Sequence, residues 1–188
     1  MTPREDEVHR LAAIESIRQL VARYGPAVDS RDLDTLVHLF VPDVRVGRSA
    51  IGRAALRASF AESLGAIGIS VLDVGTPVID LLDADHGIGT VYCKAEIQDG
   101  DRWIHQAVVY EGQYRRDDGR WYFVRRRHRL FYGSEVGTNP LLLPPANWLE
   151  HHDGRGTVPA AWESWFWADH GGDPSPTPGS EASREPGV

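Results

Sequence analysis

The stretch RYGPAVDSRDLDTLVHLFVPDV, Arg23–Val44, decides how the rest of the chain is read. Upstream of it, Val8, Leu11, Ile14, Ile17, Leu20 and Val21 recur at spacings of three and four. That pattern predicts an amphipathic helix from Glu5 to about Tyr24 with a narrow buried stripe. Gly25-Pro26 kinks or ends it, because Pro26 has no N–H to give to the helical ladder. Asp29 then arrives on a short apolar step, PAVD. A second helix is predicted over Leu33–Phe40, with Asp29, Ser30 or Asp32 as N-cap, and Pro42 stops it. Asp29 therefore has two readings: a cap, or the reactive group of a pocket.

Downstream, VRVGRSA reads as a short strand and turn, and GRAALRASFAESLG as a third helix ending at Gly65. The period then changes to two. Long strands are predicted near Ser70–Leu82, Gly87–Gln98, Arg102–Arg115 and Trp121–Tyr132, with turns at DADHG, DGD and RDDG. Three helices followed by four long strands describe an α+β domain whose curved antiparallel sheet wraps the helices. The body is expected to span residues 1–134. Residues 135–170 form an aromatic-rich extension carrying Trp148, Trp162, Trp165, Phe166 and Trp167. It is expected to pack on the body, as a lid or at an interface between copies. Residues 171–188 are Pro/Gly/Ser-rich and read as a flexible tail.

A length of 188 residues suits one domain with a full core, and 41% apolar with 25% charged residues is ordinary for a globular chain. The net charge of −7 argues against a nucleic-acid partner, since phosphate binding rests on clustered positive charge. Cys93 is the single cysteine, so no internal disulfide forms and a reducing compartment is expected. The polar N-terminus is no signal peptide, and no apolar run approaches a membrane span. The expected location is the cytoplasm.

The pattern Y-x4-D-S-R-D-L-D-x-L-x-x-L-F-x-P-D-V, followed by long hairpins, resembles the SnoaL-like branch of the NTF2-like superfamily. That group includes scytalone dehydratase, ketosteroid isomerase, polyketide cyclases and a dehydrochlorinase. The resemblance covers roughly residues 8–134 and implies a cone, in which a bent sheet and three helices enclose an apolar pocket. It places Asp29 on the dehydratase's active-site Asp and Tyr24 on the isomerase's oxyanion-hole tyrosine. The dehydratase's two histidines would fall near Leu72 and Val91, and its later Ser and Asn near Val108 and Tyr110. Arg48 falls where the dehydratase places a tyrosine and the isomerase its catalytic Asp.

A carboxylate in an apolar cone has a raised pKa, which suits acid/base work near neutrality, and a buried phenol beside it can donate to a substrate carbonyl. Strand alternation puts Val91, Cys93, Ala95 and Ile97 on one inward face. In the next strand Ile104, Gln106, Val108 and Tyr110 share one face, and Trp103, His105, Ala107 and Val109 the other. The resemblance favours the first set, with Tyr110 in the pocket; the opposite parity would make His105 the partner of Asp29. Leu72, Val91, Cys93, Gln106 and Val108 complete the candidate pocket lining. Within VRRRHR, Arg125, Arg127 and Arg129 face one way and Arg126 and His128 the other, so one inward Arg could bind an anionic group. His38, His128, His151, His152 and His170 show no metal-site spacing, so neither metal nor cofactor is expected.

The expected function is a cofactor-independent dehydratase, cyclase or isomerase acting by proton transfer on a small hydrophobic carbonyl or hydroxyl compound. Asp29 is its acid or base, Tyr24 and Tyr110 orient or stabilise the oxygen, and Arg48 or His105 assists. The expected assembly is a homodimer or homotrimer. Two alternatives stand: a scaffold like the β subunit of ring-hydroxylating dioxygenases, which shares a D-x-R-D…L-F pattern, and a small-molecule binding module.

Overall fold

A computed structural model of the chain describes residues 2–147 and 153–156. Helix α1 (Pro3–Ala22) is opened by a capping box, in which the Thr2 hydroxyl accepts from the Glu5 N–H and the Glu5 carboxylate accepts from the Thr2 N–H. Only its second half is buried, through Ile17, Leu20 and Val21. Val8 and Leu11, expected in the same buried stripe, are 58% and 56% exposed, because that end of the helix runs past the core.

The break after α1 falls earlier than Gly25-Pro26. Helix α2 (Tyr24–Asp29) contains both residues, and Pro26 sits in its first turn, where a missing N–H costs nothing. Gly25 is needed there for space: a Cβ would meet the Leu72 carbonyl at 3.1 Å and a Val74 methyl at 3.3 Å. Asp32 is the N-cap of α3 (Leu33–His38), its carboxylate accepting from the Thr35 N–H at 2.9 Å. After α3 the chain docks on the sheet, with Val41 N–H donating to Phe123 and Phe123 N–H donating to Leu39. A small hairpin, β1 (Arg45–Val46) with β2 (Ala50–Ile51), leads into α4 (Arg53–Gly65).

The large sheet runs β3 (Ser70–Val74), β5 (His86–Asp99), β6 (Arg102–Asp117), β7 (Arg120–Val136), and β4 (Val78–Leu81) also pairs with β5. All pairings are antiparallel. The expected strand Ser70–Leu82 is split into β3 and β4 around Gly75-Thr76-Pro77, since Pro77 cannot donate to the ladder. Strand β7 extends beyond its expected end at Tyr132.

Two register shifts between β6 and β7 bend this pair. At one, Val124 is left over between Phe123↔Tyr114 and Arg125↔Gln113; at the other, Phe131 is left over between Leu130↔Val108 and Tyr132↔Ala107. The result is an α+β cone with an open, bent sheet. Its core joins Ile17, Leu33 and Leu36 from the helices to Phe40, Val91, Val108 and Phe123. A second small cluster packs Leu141, from the 3-10 turn Pro140–Leu142, on Ile69 and Trp103. Trp148, Trp162, Trp165, Phe166, Trp167 and the 171–188 tail lie outside the described residues. No described helix is long and apolar enough to cross a membrane.

Candidate functional site

Two polar clusters sit at the two ends of α2. At its C-terminal end, Asp29 accepts from the Leu72 backbone N–H at 2.9 Å and from the Ser70 hydroxyl at 3.1 Å. Arg31, fully buried and with a left-handed backbone (φ 60°), donates to Ser70 Oγ and to the Val28 carbonyl, each at 2.8 Å, and to the Gly68 carbonyl. Burial pushes the Asp29 carboxyl up, against the hydrogen bonds from Leu72 and Ser70 and the Arg31 charge. Burial also lowers the Arg31 guanidinium to about 10, partly offset by Asp29. Both Asp29 oxygens are thus committed to a clasp that ties α2 to β3.

At the other end, Tyr24 points into the cone. Its ring centre is 5.9 Å from that of Tyr110 on β6 and 6.1 Å, edge-on, from Phe123. The Arg126 guanidinium carbon lies 3.8 Å from the Tyr110 ring centre and 4.0 Å from that of Tyr24, with Phe123 at 5.2 Å. The bulge at Val124 explains the geometry. Phe123 and Arg126 differ in parity, yet the extra residue turns both to the interior. Opposite Arg126 in register stands Gly112, where a Cβ would come within 2.5 Å of the Tyr114 hydroxyl. The missing side chain gives the Tyr114 ring its place beside Phe123.

Tyr24, Tyr110 and Arg126 line a cavity of about 840 Å³ together with Phe40, Val44, Leu56, Phe60, Gln113, Arg115, Arg125 and His128. Burial raises the pKa of Tyr24 and of Tyr110, so both are protonated donors at neutral pH, although the Arg126 charge pulls the other way. For Tyr110 the neighbouring Tyr24 adds to the rise. His128, two residues from Arg126 and 5.6 Å from the Tyr110 ring, is lowered by desolvation and then by the Arg126 charge, so it is a neutral base near neutrality. A cavity of mixed lining that sets two phenols, a guanidinium and a neutral imidazole at one wall can polarise an oxygen and accept a proton beside it.

A SnoaL-like domain model matches residues 9–127, well over half of the chain. The chain belongs to the SnoaL-like family. Solved structures with the same cone include hexachlorocyclohexane dehydrochlorinase LinA-type3 from Novosphingobium barchaimii, with a TM-score of 0.63 and 20% identity over 70% of this chain and 94% of that one. An NTF2-like protein with a cystatin-like fold from Novosphingobium aromaticivorans gives 0.57 and 26% over 69% and 89%. No curated protein sequence matches.

Within this SnoaL-like cone the sequence-predicted residues disperse. Tyr24 and Tyr110 meet in the cavity. Asp29 belongs to the clasp and is not among the cavity-lining residues. Leu72 contributes its backbone N–H to Asp29, while Val91, Cys93 and Val108 are core. Burial lifts the Cys93 thiol to about 11, which leaves it inert. Gln106 is half-buried, and Arg48 is exposed at the β1–β2 turn. His105 lies on the opposite face of β6 from Tyr110, 3.6 Å from Glu96. Among the described residues no three His, Cys, Asp or Glu side chains converge to hold a metal ion. Arg126 and His128, which carry the polar wall, were legible only as one of the two faces of VRRRHR, with neither face marked as the inward one.

Proposed function

We propose that this SnoaL-like protein is an acid/base enzyme of the dehydratase, cyclase or isomerase type acting on a small, mostly apolar carbonyl compound. The observation that carries the reading is the packing of Tyr24, Tyr110 and Arg126 at the wall of the cavity. The substrate oxygen accepts hydrogen bonds from the two protonated phenols. His128 takes a proton from the adjacent carbon, and the electron pair moves onto the oxygen as an enolate held by the two phenols. Asp29 supports this site by holding α2, and with it Tyr24, against β3.

The test is solvent deuterium exchange. Apolar cyclic and aryl ketones are incubated with the protein in D2O, and loss of the α-proton signal is followed by NMR. Exchange above background, reduced about a hundredfold in Tyr24→Phe and in His128→Gln, is the expected result. A ketone that binds in the cavity but exchanges no faster than in buffer sinks the catalytic reading. The binding-module reading would then stand, favoured by the full commitment of both Asp29 oxygens. A homo-oligomer belongs to the same proposal, supported by the stacked and exposed Tyr92–Phe131 pair on the sheet. Light scattering decides the state, and a trimer without exchange activity points to the scaffold.

A further inference from the structure

We infer that the natural ligand carries a carboxylate, bound by the Arg126 guanidinium inside the cavity, on an aromatic or alicyclic body. The inference rests on the reading of the cavity as a substrate site and specifies what enters it. All three Arg126 nitrogens are buried, and none makes a hydrogen bond of ordinary geometry among the described residues, although the guanidinium lies close enough to the Tyr24 and Tyr110 hydroxyls to pull their pKa values down against the effect of burial. The rings of Tyr24 and Tyr110 attract the cation, but a π face is no substitute for in-plane acceptors on the five N–H donors of the fork. A desolvated, unpartnered guanidinium is costly, and a carboxylate matches it with two parallel hydrogen bonds.

Several acids among the described residues are engaged elsewhere. Asp43 and Asp117 both bind Arg115, Glu111 pairs with Arg129 and Arg127, and Asp29 is held by Leu72 and Ser70. Arg115 and Arg125 also line the cavity, and its one described carboxylate, Asp43, is bound to Arg115. The field inside therefore favours an anion. Phe40, Leu56 and Phe60 form the apolar side, which suits a ring and not a polar chain. Together with the proton-transfer chemistry, this points to an aryl or alicyclic acid that also bears the reacting carbonyl.

Isothermal titration with three probes of one shape tests it: naphthalene-2-carboxylate, naphthalene-2-carboxamide and 2-acetylnaphthalene. The full-length protein is expected to bind the carboxylate at least tenfold more tightly than either neutral probe. Arg126→Met should abolish that preference, and Arg126→Lys should restore part of it. Thermal melts confirm that both variants are folded. Equal binding of all three probes, or an undiminished carboxylate preference in Arg126→Met, overturns the anion site while leaving the cavity a substrate site. Failure of all three to bind overturns both the inference and the reading beneath it.

Discussion

The two ends of helix α2 hold the same kinds of group and treat them oppositely. At Asp29, a half-buried carboxylate and a buried guanidinium share Ser70 and find carbonyls or N–H groups on α2, Gly68 and Leu72. At Tyr24, a guanidinium with buried nitrogens packs against two phenols and Phe123 without a hydrogen bond of ordinary geometry, and a cavity opens beside it. A buried polar network whose members bond one another fixes a structure, whereas a cation without such bonds at a cavity wall is, on our proposal, where a ligand binds. The difference separates the residue that resemblance made most conspicuous from the residues that form the proposed site.

The widest separation is expected between the two arginines. Arg31→Met strands the Gly68 and Val28 carbonyls and leaves the Asp29 carboxylate without its nearest cation. It should cost about 3–5 kcal/mol, read as a lower urea midpoint at unchanged slope. Arg126→Met removes a cation without hydrogen-bond partners and leaves apolar volume against two rings, so it should be neutral or stabilising by about 1–4 kcal/mol. Losses of equal size at both positions would erase the distinction between clasp and site.

A finer probe is Asp29→Asn, expected to cost about 1 kcal/mol at neutral pH with proton exchange retained. Because burial raises the folded carboxyl above its ordinary 3.8, the native state binds the proton more tightly than the unfolded chain. Wild type should therefore hold its greatest advantage over the variant below about pH 4. That advantage should shrink as pH rises through the folded value. Urea melts of both proteins from pH 3.5 to 6.5 measure it. The opposite slope would mean that the bonds from Leu72 and Ser70 outweigh burial, and loss of exchange at unchanged stability would return Asp29 to the chemistry.

How far these features could be read from sequence depends on whether they are local. The periodic stripe of α1, the turn signals between β5, β6 and β7 and the Y-x4-D-S-R-D pattern are carried by neighbours in the chain, and they led to the α+β cone. Asp29 stood out for the same reason. Its partners Ser70 and Leu72 lie about forty residues downstream, and no local pattern ties them to it. The split of Ser70–Leu82 had a local cue in Pro77, overridden by the long apolar alternation. The Arg126 site depends on a bulge at Val124, which is visible only once β6 and β7 are paired. Strict alternation along WYFVRRRH puts Phe123 and Arg126 on opposite faces, and no composition rule marks the extra residue.

The smallest effect is expected at His105, and it bears on where the chemistry sits. His105 and His128 stand on adjacent strands of one sheet, one on the face away from Tyr110 beside Glu96, the other in the cavity beside Tyr110. The His105–Glu96 contact is half-exposed at 3.6 Å, a geometry worth little in water. His105→Gln should change stability by less than about 0.5 kcal/mol and leave deuterium exchange at the wild-type rate. His128→Gln, at similar stability, should lose that exchange, since a neutral amide cannot accept the proton. A tenfold loss in His105→Gln with exchange intact in His128→Gln would move the reacting face to the other side of β6, because one side chain cannot reach both faces of a strand.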